Sequence, residues 1–193
     1  MNDLESIGDK ISKCRKCILS EKRTNAVPGS GNFKADLMFV GEGPGKKEDE
    51  QGIPFVGQAG KFLEEMLATI NMTRDDVFIT NVVKCRPPEN RDPLPDEVET
   101  CSGSYLYNQI KAIKPKIIIT LGRHAMEFFV PGRKISEVHG QPKRMINEET
   151  GEKQVYLPLY HPAAALYHGG LRDTLIKDFK KIPKILKKID NLE

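Results

Sequence analysis

The stretch Gly41 to Gly60, GEGPGKKEDEQGIPFVGQAG, decides how this chain reads. It begins where an apolar strand, Leu37-Met38-Phe39-Val40, runs out. It ends where a helical pattern of Phe62, Leu63, Met66, Leu67 and Ile70 starts. A Gly/Pro-rich loop between a strand and a helix is where an open α/β sheet holds its ligand, at the carboxyl ends of the strands. Glycines at 41, 43 and 45 let backbone N–H groups come close to a bound group, and Pro44 stiffens the turn. A phosphate loop is the plainer reading, and the residues oppose it. The spacing is G-x-G-x-G, Gly45-Lys46-Lys47 lacks the Ser or Thr of a P-loop, and Glu42, Glu48, Asp49 and Glu50 would repel a phosphate. Four carboxylates suit a developing positive charge or a pocket that reads a base, although Asp49 and Glu50 also fit a solvated acidic loop.

Working outward, strands at 77–83, 116–121 and 155–160 alternate with helices at about 60–71, 96–113, 122–130 and 171–189. That alternation predicts an α/β fold, a single domain over residues 1–193 with a mainly parallel four-stranded sheet flanked by helices. Four prolines in KCRPPENRDPLP exclude regular structure there, and Pro158 places the last strand at a sheet edge or its own end. Residues 135–155 read as a polar hairpin with a turn at Glu149-Thr150-Gly151. The 193 residues are 38% hydrophobic and 30% charged, with a net charge of +3. There is no transmembrane run, and MNDLES is no signal peptide, so a cytoplasmic protein without a membrane partner is expected. The mild net charge does not by itself point to nucleic acid, but residues 177–188 carry six lysines against one aspartate.

The four cysteines stand as Cys14-x₂-Cys17, Cys85 and Cys101. In a cytoplasmic protein they fit zinc or an iron–sulfur cluster better than disulfides. A zinc ribbon usually closes with a second C-x₂-C, which is missing. Such a site would tie the N-terminal segment to the Pro-rich loop and to the helix carrying Cys101, a structural role. Phe55 is a core anchor or a platform for a planar ligand. Asn81 falls in an apolar strand, where a buried amide needs partners. His161 follows the last strand and precedes a tight loop, a fair setting for catalysis. His124, His139 and His168 read as surface or structural residues.

Taken jointly, GEGPG, EDEQGIPFVGQAG, TNVVKCRPP at 80–88 and YHPAA at 160–164 closely resemble family 4 uracil-DNA glycosylases. The resemblance runs from Cys14 to the helix after His161. It implies the uracil-DNA glycosylase fold and a 4Fe–4S cluster on Cys14, Cys17, Cys85 and Cys101. It further implies hydrolysis of the N-glycosidic bond of deoxyuridine that has been flipped out of DNA, the first step of base excision repair. By the same resemblance Gly41, Glu42 and Gly43 form one pocket wall, Phe55 stacks on uracil, and Asn81 reads the base edge. His161 faces O2, and Glu42 and Glu48 stabilise the oxocarbenium-like sugar or position water, with Glu48 also the group beside C5 that excludes thymine. Ala165-Leu166 is the expected minor-groove wedge, and Arg86, Arg91 and the final-helix lysines the expected phosphate contacts, unless those lysines form a plain solvated face. The implied partner is uracil-containing DNA, single- or double-stranded, met by a monomer in the nucleoid. Two rivals share parts of this pattern: a non-catalytic or covalently trapping uracil-DNA binder on the same fold, as in related proteins whose KRRIH insertion is missing from VKCRPPENRDP, and an iron–sulfur electron carrier, which gives Asn81 and His161 no task.

Overall fold

The computed structural model describes residues 3–147, 149 and 151–191. Six strands form one mixed sheet in the order β1-β3-β2-β4-β6-β5, comprising β1 (Ser30–Gly31), β2 (Leu37–Gly41), β3 (Phe78–Asn81), β4 (Ile117–Leu121), β5 (Lys143–Ile146) and β6 (Lys153–Leu159). The four central strands are the expected parallel set: β2 pairs in parallel with β3 and β4, and β4 with β6. Two antiparallel edge strands extend it, β1 on β3 and β5 on β6. The β5–β6 hairpin matches the polar stretch read at 135–155, though Thr150 of its turn lies outside the described residues. Pro158 sits near the end of β6, beyond the last pair with β5, where its missing N–H breaks no ladder bond.

The helices are α1 (Asp3–Ser12), α2 (Leu19–Lys22), α3 (Lys46–Gln51), α4 (Gln58–Ala68), α5 (Pro95–Cys101), α6 (Tyr107–Ile113), α7 (Arg123–Phe129), α8 (Ile135–Val138), α9 (Pro162–Tyr167), α10 (Gly169–Phe179) and α11 (Ile182–Asp190). The structure corrects the expectation of an unbroken loop from 41 to 60, because its charged middle folds as α3. Lysine, glutamate and glutamine form helix readily once Gly45 provides an extended N-cap. The helix expected over 96–113 is α5 and α6 joined by a π turn at Ser102–Leu106, directly after Cys101. The helical stretch read over 171–189 with an interruption at Pro183 is α10 and α11, and Pro183 sits in the first turn of α11.

Alternation along the strands fills both faces of the sheet. Leu37, Phe39, Ile117, Ile119, Leu157 and Leu159 meet α4, α10 and α11, with Phe39 stacked on Phe179 at 5.7 Å. Met38, Val40, Ile118 and Tyr156 meet α6 and α7. Truncating a phenylalanine buried this way typically costs ~3–5 kcal/mol. A third cluster of Ile11, Leu19, Val83 and Tyr105 surrounds the cysteines. Two-sided cover makes the sheet a rigid frame whose carboxyl edge presents Gly41, Asn81, Gly122 and Tyr160. The chain passes from β2 to β3 on one side and reaches β4 on the other, which opens a crevice at the end of β2.

Candidate active site

A cavity of about 510 Å³ occupies that crevice, lined among others by Glu42, Glu48, Phe55, Asn81, Asn90 and His161. Asn81 ends β3 and is 1% exposed. Its Oδ1 is buried without a hydrogen-bond partner, a costly state unless a ligand supplies the donor. Gly41, beside it in register, is glycine for a steric reason. A Cβ there would overlap Asn81 Oδ1 and stand 2.8 Å from Phe55 Cζ. Phe55 takes a left-handed φ of 54°, unfavourable for an aromatic residue by ~1–3 kcal/mol. Arg74 holds it there, donating to the Pro54 carbonyl at 2.6 Å and the Phe55 carbonyl at 2.9 Å.

His161 faces the Phe55 ring, with centroids 5.7 Å apart. Its Nδ1 accepts the Ala163 N–H at 3.1 Å at the start of α9. That bond fixes the proton of the neutral ring on Nε2. Burial lowers the His161 pKa to about 4 against the opposing pull of Glu48, so the ring is neutral near pH 7. Gly122, with φ 91°, gives it room: a Cβ there would lie 3.1 Å from His161 Cβ. Glu48 lines the same cavity, but its Oε1 already accepts the N–H groups of Val56 and Gly57 at 2.9 and 3.0 Å. It clamps α3 to the strand of loop beyond Phe55. Of the other carboxylates in the stretch, Asp49 is buried and accepts the Thr24 N–H, while Glu50 is exposed and 3.9 Å from Lys46.

Glu42 extends from the end of β2, and burial raises its carboxyl pKa. His124 Nε2 lies 3.7 Å from Glu42 Oε2 and 3.3 Å from Asp92 Oδ1. His124, read from sequence as surface or structural, thus has charged partners from two other parts of the chain, and a histidine three residues past a strand carries no local signal of that. These three groups converge closely enough for a cation, but the Arg123 guanidinium bonds His124 Nε2 at 2.9 Å and opposes one. Asn90, also missed, enters the pocket wall from the Pro-rich loop with a left-handed φ of 57°. Its Oδ1 accepts from Arg86 at 2.8 Å.

Arg91 does not stand free for a phosphate. Its guanidinium grips the buried Glu97 in two bonds of 2.9 and 2.6 Å. Ala165, expected on the DNA-facing wedge, is instead 6% exposed within the core, while Leu166 and Tyr167 are 42% and 83% exposed. The side chain four residues after the pocket-lining Ala163 is thus Tyr167, on the same helix face. In α11, Asp190 pairs with Lys116 at the start of β4, on the edge of the sheet opposite the pocket. The lysines of that helix therefore suit the solvated-face reading. No helix among the described residues is long and apolar enough to cross a membrane.

Cys85 and Cys101 are buried and Cys14 and Cys17 partly so, in one cluster. Donors already point at the sulfurs: Arg23 Nη1 to Cys85 at 2.9 Å, Lys84 N to Cys101 at 3.3 Å, and Lys16 N to Cys14 at 3.5 Å. Such donors suit thiolates. As bare thiols Cys85 and Cys101 have pKa values pushed up by burial, Cys101 to about 11, so a metal would have to displace protons. Lys84 is wholly buried, which lowers its pKa to about 7, and its Nζ lies 2.6, 2.7 and 2.7 Å from Thr80 Oγ1, the Asn81 carbonyl and Gln109 Oε1. It braces Asn81 from the cysteine side, a role its place in an apolar motif did not announce.

Similarity to known proteins extends over nearly the whole chain. A family profile described as the uracil DNA glycosylase superfamily matches residues 28–188. A type-4 uracil-DNA glycosylase of Archaeoglobus fulgidus is 50% identical over 190 residues, covering 96% of this chain and 94% of that protein. Proteins of the same name from Sulfurisphaera tokodaii and Thermotoga maritima are 50% and 43% identical, each over 96% of this chain and over 86% and 95% of their own lengths. Identity at that level across nearly both full lengths, with the profile spanning every central strand, means that the chain belongs to the uracil-DNA glycosylase superfamily.

Proposed function

We propose that this protein is a uracil-DNA glycosylase, which takes deoxyuridine from DNA into the 510 Å³ cavity and hydrolyses its N-glycosidic bond. The observation that carries the reading is the buried, unpartnered Oδ1 of Asn81. Uracil offers it N3–H, and the amide Nδ2 can donate to O4. Cytosine reverses both groups. Phe55 gives the flat ring a stacking surface. His161, neutral with its proton on Nε2, donates toward O2 as negative charge collects on the departing base. An oxyanion donor of this kind is worth ~10²–10³ in rate. Glu42, the less encumbered of the two pocket carboxylates, stabilises the cationic sugar or orients water. Glu48, whose Oε1 is committed to two backbone donors, contributes its charge and shapes the wall beside C5. Leu166 and Arg86 meet the DNA, and the protein acts as a single-domain monomer in the cytoplasm.

Cys14, Cys17, Cys85 and Cys101 would hold a 4Fe–4S cluster. The N–H groups already aimed at Cys14, Cys85 and Cys101 suit sulfurs that stay anionic on a metal. The cluster would tie the turn between α1 and α2, the Pro-rich loop and α5 together through four thiolates, a structural role.

The test is release of free base from oligonucleotides carrying U, T, C or hypoxanthine. Free uracil with T and C left intact is expected. A stable protein–DNA adduct, or no release from any substrate, would reject the glycosylase.

A further inference from the structure

We propose that His124, backed by Arg123 and Asp92, is a positioning residue that keeps Glu42 ionised on the acid side of the reaction's pH range. The inference rests on the reading of Glu42 as a carboxylate that acts at the sugar. One nitrogen organises the group. His124 Nε2 lies 2.9 Å from Arg123 Nε, 3.3 Å from Asp92 Oδ1 and 3.7 Å from Glu42 Oε2. It cannot accept from the guanidinium and donate to a carboxylate at once. A neutral ring takes the Arg123 N–H. A protonated ring turns its Nε2–H to the two carboxylates, and Arg123 keeps its second contact, 3.5 Å from Asp92. A proton on His124 Nε2 thus places a positive charge beside Glu42, where that carboxylate would otherwise be lost.

The charges around Glu42 agree in sign. Burial and Asp92 raise its pKa, while His124 and Arg123 lower it, His124 more than Arg123. From α7 it is faced by His124 and Arg123, and from the Pro-rich loop by Asp92 and by Arg91, whose charge is tied to Glu97. Across the cavity stand Glu48 and His161. His124 and Glu42 are each about one-third exposed at the side chain, so water screens but does not cancel their interaction.

The experiment is single-turnover uracil release from a single-stranded U oligonucleotide, with saturating enzyme, between about pH 8 and about pH 5. The His124→Ala rate relative to wild type is expected to fall about threefold to tenfold further at the acid end than at the alkaline end. His124→Lys, which keeps a cation at every pH, is expected to remove that extra loss. A purely structural defect slows all pH values alike. A constant ratio for His124→Ala, or an acid loss that Lys does not repair, overturns the inference. Glu42→Gln, measured alongside, separates the two layers. If it is slow while the His124→Ala ratio stays flat, only the His124 inference fails. If Glu42→Gln matches wild type across the range, the reading of Glu42 fails first.

Discussion

At His161 one backbone hydrogen bond settles what the side chain can offer. The Ala163 N–H occupies Nδ1, so Nε2 carries the proton, and burial holds the ring pKa near 4. His161→Ala is expected to slow single-turnover uracil release ~10²–10³-fold with DNA affinity largely kept, because the contact strengthens only as the base departs. An equal loss in affinity with an unchanged chemical step would make it a DNA contact. The same depressed pKa has a sign for stability. The native state binds this proton less readily than the unfolded chain, so its contribution is whole above about pH 6.5 and is lost as pH falls toward 4. Sequence identified Asn81 and His161 because a polar group in an apolar strand and a histidine at a strand end are both visible in one dimension. It missed His124, whose partners Glu42 and Asp92 come from distant parts of the chain, and it missed Asn90 and Lys84, whose places are set by the fold of the Pro-rich loop and by Gln109 of α6.

At the scale of elements, α3 and α9 carry the differences from expectation. The acidic run reads as loop because glycines bracket it, yet α3 forms and lets Glu48 reach back to Val56 and Gly57. In α9 the small residues of PAAALY divide by helical period: Ala165 turns into the core, and Leu166 and Tyr167 turn outward. A one-residue offset of that kind follows from the helix phase, which only the packed structure sets. Leu166→Ala is expected to slow action on paired uracil several-fold more than on uracil in single strands, where no stack has to be opened. Rates reduced alike on both substrates would remove Leu166 from the wedge role.

For the whole molecule, the four parallel strands, though not their order, were legible from apolar runs alternating with helices, and of the edges only the polar hairpin over 135–155 was. β1 is two residues long, and β5 is largely exposed, so neither leaves a hydrophobic pattern. A cluster on the four cysteines would link the turn after α1, the Pro-rich loop and α5. Purified protein is expected to be brown with about four irons per chain. Cys85→Ser should damage folding and solubility more than chemistry. One zinc per chain without visible absorption would contradict the cluster, and a folded, DNA-binding but chemically dead Cys85→Ser protein would contradict its structural role.

Base choice is the central claim, and it concentrates on the unpartnered Oδ1 of Asn81. Asn81→Asp keeps the shape while changing what is offered: an ionised carboxylate only accepts, and a protonated one can also donate. The direct measurement is single-turnover release from matched U- and C-containing single strands, which removes the pairing term. Wild type should release uracil alone. Asn81→Asp should lose uracil release by up to ~10⁴-fold, with cytosine release rising relative to uracil. An Asn81→Asp enzyme with the full uracil rate and an unchanged U-to-C ratio would contradict the account, because the pocket would then be reading its base through another residue.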